Sequence, residues 1–336
     1  MEEKSNSKKA TANEVAELAG VSKYTVLRAF KEGASISPHA REAVMAAADK
    51  LGFSPNLLAR SLKNKKTKLI AVLVDEFQNP HTLMVLDEVS KQLGARGYMT
   101  ILLNVSSDDK YISVLKMAGQ MQVDGMIFAA TILRDELIVT AKEIYHVPSF
   151  HICRSTENPD VNVVNIDGFN ASKALGNLLI RQGYKKYAYM KGHDTPSSQL
   201  MRIQGYEESL KAIGQNISKL FIAGHYDRER SYTLIMDYLQ QTPQSERVDA
   251  LFCENDVLAI GAIQAVRDFG QGAHMGIVGF DDINEARTTT WQLTTWSQRA
   301  DLQITEAINR LLDGIADESG SWRTGEIKIR KSHLKP

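Results

Sequence analysis

Two cysteines in 336 residues, Cys153 and Cys253, are too few and too far apart to form a disulfide framework. Hydrophobic residues make up 43% of the chain, yet no apolar run reaches the roughly 18 residues that a membrane-spanning helix needs. The opening MEEKSNSKKA lacks the apolar core of a secretory signal peptide. These absences read as a cytoplasmic chain with reduced thiols and no membrane partner. Sequence marks of catalysis are missing too, with no G-x-G-x-x-G after a strand, no G-x-x-x-x-G-K-S/T, no G-x-S-x-G and no H-E-x-x-H. His146, His151, His193, His225 and His274 are scattered without ligand spacing, so neither a metal nor a cofactor is expected. No short repeat occurs. What remains has the composition of a globular chain long enough for two or three domains.

Net charge is also absent, with 40 Lys and Arg against 40 Asp and Glu, but its distribution is uneven. Residues 1 to 68 carry 13 basic and 7 acidic side chains, a net +6, and the rest carry 27 against 33, a net −6. A basic head on an acidic body suits a chain whose head alone meets phosphates. Within that head, Thr11 to Phe30 has Val15, Leu18 and Ala19 at helical spacing, breaks at Gly20, and restarts at Ser22 with Val26, Ala29 and Phe30. Two short helices about a glycine-containing turn read as a helix-turn-helix, with Lys23, Tyr24 and Arg28 facing outward, where Lys and Arg suit guanine acceptors in a major groove. An ordinary helical hairpin with solvated cations fits this stretch equally. The later segments decide between them.

Ser37-Pro38 opens a third helix that runs to about Leu51, buries Ala40, Val44, Ala47 and Leu51, and ends at Gly52, with Phe53 capping the small core. The segment from Pro55 to Leu62 joins leucines to a basic run, Lys63 to Lys68. This composition reads either as a linker or as a short helix that orders on DNA and wedges a leucine into a base step. From Leu69 the pattern alternates between apolar strands and amphipathic helices. Strands are expected at 69–74, 99–104, 125–130, 161–166, 187–190, near 219–222, 250–253 and 276–280. Helices are expected near 82–96 and at 109–121, 168–182, 198–213, 228–239, 255–269 and 301–315, with a pause in the rhythm at 147–152. Two parallel βα sheets in succession place a ligand at the carboxyl ends of the strands, between two lobes.

Over nearly its full length the chain resembles the LacI/GalR family of bacterial transcription regulators. Thr11-Ala12-Asn13-Glu14-Val15-Ala16-Glu17-Leu18-Ala19-Gly20-Val21-Ser22-Lys23-Tyr24-Thr25-Val26-Leu27-Arg28 stands where the family has T-I-x-D-V-A-x-x-A-G-V-S-x-x-T-V-S-R. Glu14 replaces the usual Asp. Leu27 replaces the usual Ser, where it either tilts the recognition helix or meets a thymine methyl. The hinge P-N-x-x-A-R-x-L stands intact as Pro55, Asn56, Ala59, Arg60 and Leu62, and the resemblance makes Leu62 the minor-groove wedge with Ala59 packed beside it. Phe77-Gln78-Asn79-Pro80, Arg202-Ile203-Gln204-Gly205-Tyr206, Asn255-Asp256 and Gly279-Phe280-Asp281-Asp282 match the sensor-domain motifs F-x-N-P, R-x-x-G-F/Y, N-D and G-F/Y-D-D.

The resemblance implies an all-α N-terminal helix-turn-helix domain (1–54), a hinge helix and linker (55–68), and an α/β two-lobed, periplasmic-binding-protein-like effector and dimerisation domain with parallel sheets (69–336). DNA contacts are expected from Thr11, Ser22, Lys23, Tyr24, Thr25 and Arg28 in the head and from Asn56, Ala59, Arg60 and Leu62 in the hinge. By the same resemblance, Arg202, Asn255 and Asp281 bind effector hydroxyls, whereas Asp256 and Asp282 are better read as loop-fixing. Phe77, His81, Arg154 and Tyr226 complete the effector set, with Tyr226 as a stacking face or a rim residue. His81 and Thr82 where aromatics are common, Cys153 where an Asp is common, and Arg154 and Arg299 point to a sugar acid or sugar phosphate over a neutral sugar. The expected protein is a repressor of carbohydrate or sugar-acid genes that binds a palindromic double-stranded DNA operator as a homodimer. No leucine heptad follows Leu334, so no tetramer through such a tail is expected. Two other classes share part of this pattern. A solute-binding transport protein shares the lobes but needs export, and an enzyme would need a site such as the paper acid–base pair His193-Asp194.

Overall fold

The structure, a computed structural model, describes residues 10–31, 33–55, 66–105, 108–130, 135–156, 158–194, 200–270 and 272–335. The chain divides between Thr67 and Lys68 into two compact units. In the first, α1 (Ala12–Ala19) starts at a capping box, since Thr11 N–H donates to Glu14 Oε2 at 2.6 Å and the Thr11 hydroxyl accepts from Glu14 N–H at 3.4 Å. Glu14 therefore closes the box across the usual three-residue step. The helix ends at Gly20, whose φ of +64° is a left-handed cap, and α2 (Lys23–Ala29) begins on Ser22. Helix α3 (Pro38–Leu51) has a Ser37 cap, proline at its first turn and Gly52 at its end. Val15, Ala16, Val26, Ala29, Val44, Ala47 and Ala48 form the core, closed by an edge contact between Phe30 and Phe53 at 5.8 Å. Against expectation Leu18 and Leu51 are exposed and Ala40 is half-buried, because the packed stripe runs through Ala16 and Ala48 instead.

The second unit holds two sheets. The N-lobe sheet orders β2 (Met99–Asn104), β1 (Leu69–Val74), β3 (Gly125–Ala129), β4 (Ser149–Ile152) and β5 (Val163–Val164), all parallel. Helix α4 (Pro80–Ala95) covers one face through Val85, Val89 and Leu93. Helices α5 (Asp108–Gln120) and α6 (Asp135–Tyr145) cover the other through Tyr111, Leu115, Ala118 and Ile138. The C-lobe sheet orders β11 (Glu326–Lys328), β10 (Thr294–Ser297), β9 (Gly276–Asp281), β8 (Ala250–Cys253), β6 (Tyr187–Lys191) and β7 (Ile217–Ile222), with β11 antiparallel to β10 and the rest parallel. Helices α7 (Gly168–Arg181) and α8 (Arg202–Lys211) cover one face, and α9 (Arg228–Gln241) and α10 (Asp256–Phe269) the other.

The lobes are not simply successive. After β10, α11 (Ala300–Asp313) returns to the N-lobe and buries Ile304, Ile308 and Leu311 beside α4, and the chain then comes back to add β11 to the C-lobe. Three strands of chain thus cross between the lobes. Strand β4 occupies the expected pause at 147–152, and helix α6, β10 and β11 are additional elements: the short polar sequences of the last two, TTWS and EIK, carry no apolar run. The expected strand 161–166 shortens to two residues at the sheet edge. Among the described residues no helix is long and apolar enough to cross a membrane.

Candidate functional site

On the head, Lys23 and Tyr24 open α2 and are exposed, Tyr24 by 67%. Ser22 caps the helix by accepting from Thr25 N–H at 3.1 Å, and the two hydroxyls lie 2.9 Å apart. Leu27 is half exposed, so it belongs to the outer face and not to the core. Arg28 differs from the expectation of a free outward cation. It is half-buried, donates to the carbonyl of Ser35 and lies 5.6 Å over the Tyr24 ring. Asn56, Ala59, Arg60 and Leu62 lie outside the described residues.

In the second unit, the carboxyl ends of the strands of both lobes face one another. Asn79, His81, Cys153, Leu200, Arg202, Tyr226, Asn255, Asp281 and Gln298 enclose a space of about 20 Å³. Three of the expected groups meet there. Arg202 opens α8, donates to the carbonyl of Glu254, lies 3.7 Å over the Phe280 ring and reaches to 3.7 Å from Asp281 Oδ1. Asn255 caps α10 by accepting from Leu258 N–H at 3.0 Å. Asp281, at the end of β9, accepts from the Gln298 amide. Arg202 Nε and Asn255 Nδ2 are buried N–H groups with no hydrogen-bond partner among the described residues.

His81 and Tyr226 also line this space, and His81 Nε2 lies 3.4 Å from Gln298 Nε2, an N-lobe group meeting a C-lobe one. Phe77 packs on the N-lobe core and lines a separate groove of about 410 Å³ beside the site. Arg154 does not line the central space: it is buried in an ion pair with Asp135, which also accepts from Thr156. Asp256 accepts from Ile283 N–H at 2.9 Å and Thr295 Oγ1 at 2.6 Å, and Asp282 pairs with Arg330 at 2.6 Å, so both fix loops. A side chain on Gly279 would meet Asp256 Oδ1 at 2.3 Å, which accounts for the glycine two residues before Asp281.

Glu254 is one of the residues the sequence did not single out. Its buried carboxylate accepts from Gly192 N–H at 2.8 Å, Tyr226 Oη at 3.0 Å and Tyr189 Oη at 3.5 Å. Burial raises its pKa above the ordinary carboxylate value, against the Gly192 N–H, Arg202 and the Tyr226 hydroxyl, which favour the charged form. Burial, with Asp281 adding to it, pushes the Cys153 thiol up to about 12, away from the reactive thiolate form.

Against known proteins, residues 11–56 match the family model of bacterial regulatory proteins, lacI family, and residues 66–331 match that of periplasmic binding proteins and the sugar binding domain of the LacI family. The chain belongs to the LacI/GalR family. Relatives of this LacI/GalR chain include the HTH-type transcriptional repressor PurR of Proteus mirabilis, 30% identical over 96% of this chain and 95% of that protein. Another is PurR of Mannheimia succiniciproducens, 28% identical over 97% and 99%. In fold, the chain is similar to the lac repressor dimer bound to operator and the anti-inducer ONPF, with a TM-score of 0.84 at 22% identity, over 98% of this chain and all of that one. It is also similar to the transcriptional regulator CelR in complex with cellobiose, with a TM-score of 0.68 at 24% identity, over 96% and 99%. As a LacI/GalR member it is a DNA-binding transcriptional repressor with a ligand-binding domain, and such regulators are not enzymes.

Proposed function

We propose that the chain represses genes of carbohydrate or sugar-acid use by binding a pseudo-palindromic operator as a homodimer, and that a small sugar-like effector between the lobes controls this binding from the cytoplasm. In this reading residues 1–54 read bases, 55–68 form the hinge, and 69–336 sense and dimerise. The observation that carries it is the convergence of Arg202, Asn255 and Asp281, from three separate elements, on one enclosed space with two unpaired N–H groups. Buried donors without partners cost free energy that a ligand oxygen recovers, and a guanidinium beside a carboxylate suits neighbouring hydroxyl or acid groups. Helices α4, α8 and α10 begin at this space, and their N-terminal dipoles favour an anion such as a sugar acid or sugar phosphate. Because about 20 Å³ is far below the roughly 300–1,000 Å³ of small-molecule sites, the lobes part to admit the effector. Exposed Met99, Leu102, Ile112, Met117, Leu220 and Ile222 give the sensor domain apolar surface for a dimer.

A second reading, a planar nitrogen heterocycle, is favoured by the amides of Asn255 and Gln298 in the lining and by the relatives that are repressors named PurR. Calorimetric titration of the full-length protein with neutral sugars, sugar acids, sugar phosphates and nucleobases separates the two. Arg202→Lys, which keeps the charge but removes the fork, is expected to lower affinity for the effector found by about 10- to 150-fold, the worth of a charged hydrogen bond of ~1.5–3 kcal/mol. Unchanged affinity in that variant would remove Arg202 from the site.

A further inference from the structure

Two histidines 32 residues apart in sequence come together beside the cleft. His193 follows β6 and His225 follows β7, and because these strands are neighbours their loops emerge side by side. The two rings meet edge to face at 5.1 Å, and the His193 ring also meets Tyr226 edge to face at 5.2 Å. Glu76 comes to them from the opposite lobe, just after β1, with Oε1 hydrogen-bonded to His193 Nε2. Its other oxygen, Oε2, is buried without a partner among the described residues. One ligand atom from each of the three residues lies within 4.8 Å of the others. A plain interlobe hydrogen bond accounts for Glu76 and His193 alone. It leaves unexplained both the second carboxylate oxygen and the third ligand atom, on His225, within 4.8 Å of the other two.

We propose that Glu76, His193 and His225 bind one divalent transition cation, with Zn²⁺ as the type, and thereby tie the two lobes together. Two imidazoles and a carboxylate form a donor set that suits Zn²⁺ over Mg²⁺ or Ca²⁺, which take oxygen ligands. Three protein ligands leave a fourth position open. The groove of about 410 Å³ lined by Glu76, His225, Asp75 and Asn104 supplies solvent and a route for the ion. Because the ligands belong to different lobes, the ion binds the closed arrangement and shifts the population towards it.

The test is calorimetric titration of chelator-treated full-length protein with ZnCl₂ and, separately, MgCl₂. One Zn²⁺ per chain is expected, with no Mg²⁺ binding at equal concentration and with Zn²⁺ raising the melting temperature. His225 is exposed, so His225→Ala is expected to fold. It and Glu76→Gln are expected to weaken Zn²⁺ binding by at least about tenfold, since even groups that only support a ligand are worth roughly 10–100-fold. His146→Ala, an exposed histidine elsewhere, is expected to bind like the parent. Absence of Zn²⁺ binding, or Zn²⁺ binding undiminished in His225→Ala and Glu76→Gln, overturns the site.

Discussion

At the scale of single residues, part of this chain's departure from relaxed geometry lies at the cleft. Cys153 and Asp281 have positive φ without being glycine, and both line the enclosed space. Such conformations cost roughly 1–3 kcal/mol each and persist where the surroundings impose them. The signature motifs named Arg202, Asn255 and Asp281, but Glu254 escaped notice because its partners, Gly192, Tyr226 and Tyr189, lie 28 to 65 residues away. Buried His151 yields a pH prediction. Burial first, with the Arg154 charge adding to it, lowers its pKa to about 3, against the hydrogen bond from Nε2 to the Ala130 carbonyl. The unfolded chain takes up this proton near pH 6.5 and the folded one does not. Stability is therefore fully present above about pH 6.5 and falls between there and about pH 3, by about 1.4 kcal/mol per pH unit from this group. Urea unfolding across that range should show this slope, and His151→Gln should lose it. Arg28→Ala is expected to weaken specific operator binding by ~1–3 kcal/mol with effector affinity unchanged, measured by fluorescence anisotropy. A collapse of effector affinity would refute the separation of the two tasks.

At the scale of elements, the R-x-x-G-F/Y motif has a structural logic beyond its arginine. A side chain on Gly205 would sit 2.0 Å from the Phe169 carbonyl, so glycine lets α8 lie directly on α7 while Tyr206 enters the core between them. Gly205→Ala is expected to destabilise the sensor domain by ~1–3 kcal/mol, read as a lower urea midpoint, and to displace Arg202 at the start of the same helix. If effector affinity survives the change intact, α8 does not set the position of Arg202. The regular strands and helices with apolar periodicity were visible beforehand. Helix α6 and strands β4, β10 and β11 were not, since their place depends on neighbours and not on their own pattern.

At the scale of the whole molecule, effector and operator must influence each other reciprocally if the proposed coupling holds. Leu62→Ala is expected to weaken binding to the specific operator much more than to random DNA, because a wedge acts only on a properly bent site. Competition binding at matched salt measures this, and equal loss on both DNAs would remove the hinge role. The return of α11 to the N-lobe gives three chain crossings, so motion between the lobes is a hinge shared by all of them.

The helix-turn-helix, the basic head, the βα rhythm and the signature triad were determined by local sequence, because caps, turn glycines and apolar periods act within a few residues. The tertiary structure decided what depends on strand order. It brought β6 beside β7, and with them His193 beside His225, and it carried Glu76 across from the other lobe. It committed Arg154 to Asp135 and away from the cleft, and turned Arg28 onto Ser35. Spacing along the chain cannot encode such meetings, since a parallel sheet makes neighbours of residues whose separation is set by the crossover helices between them.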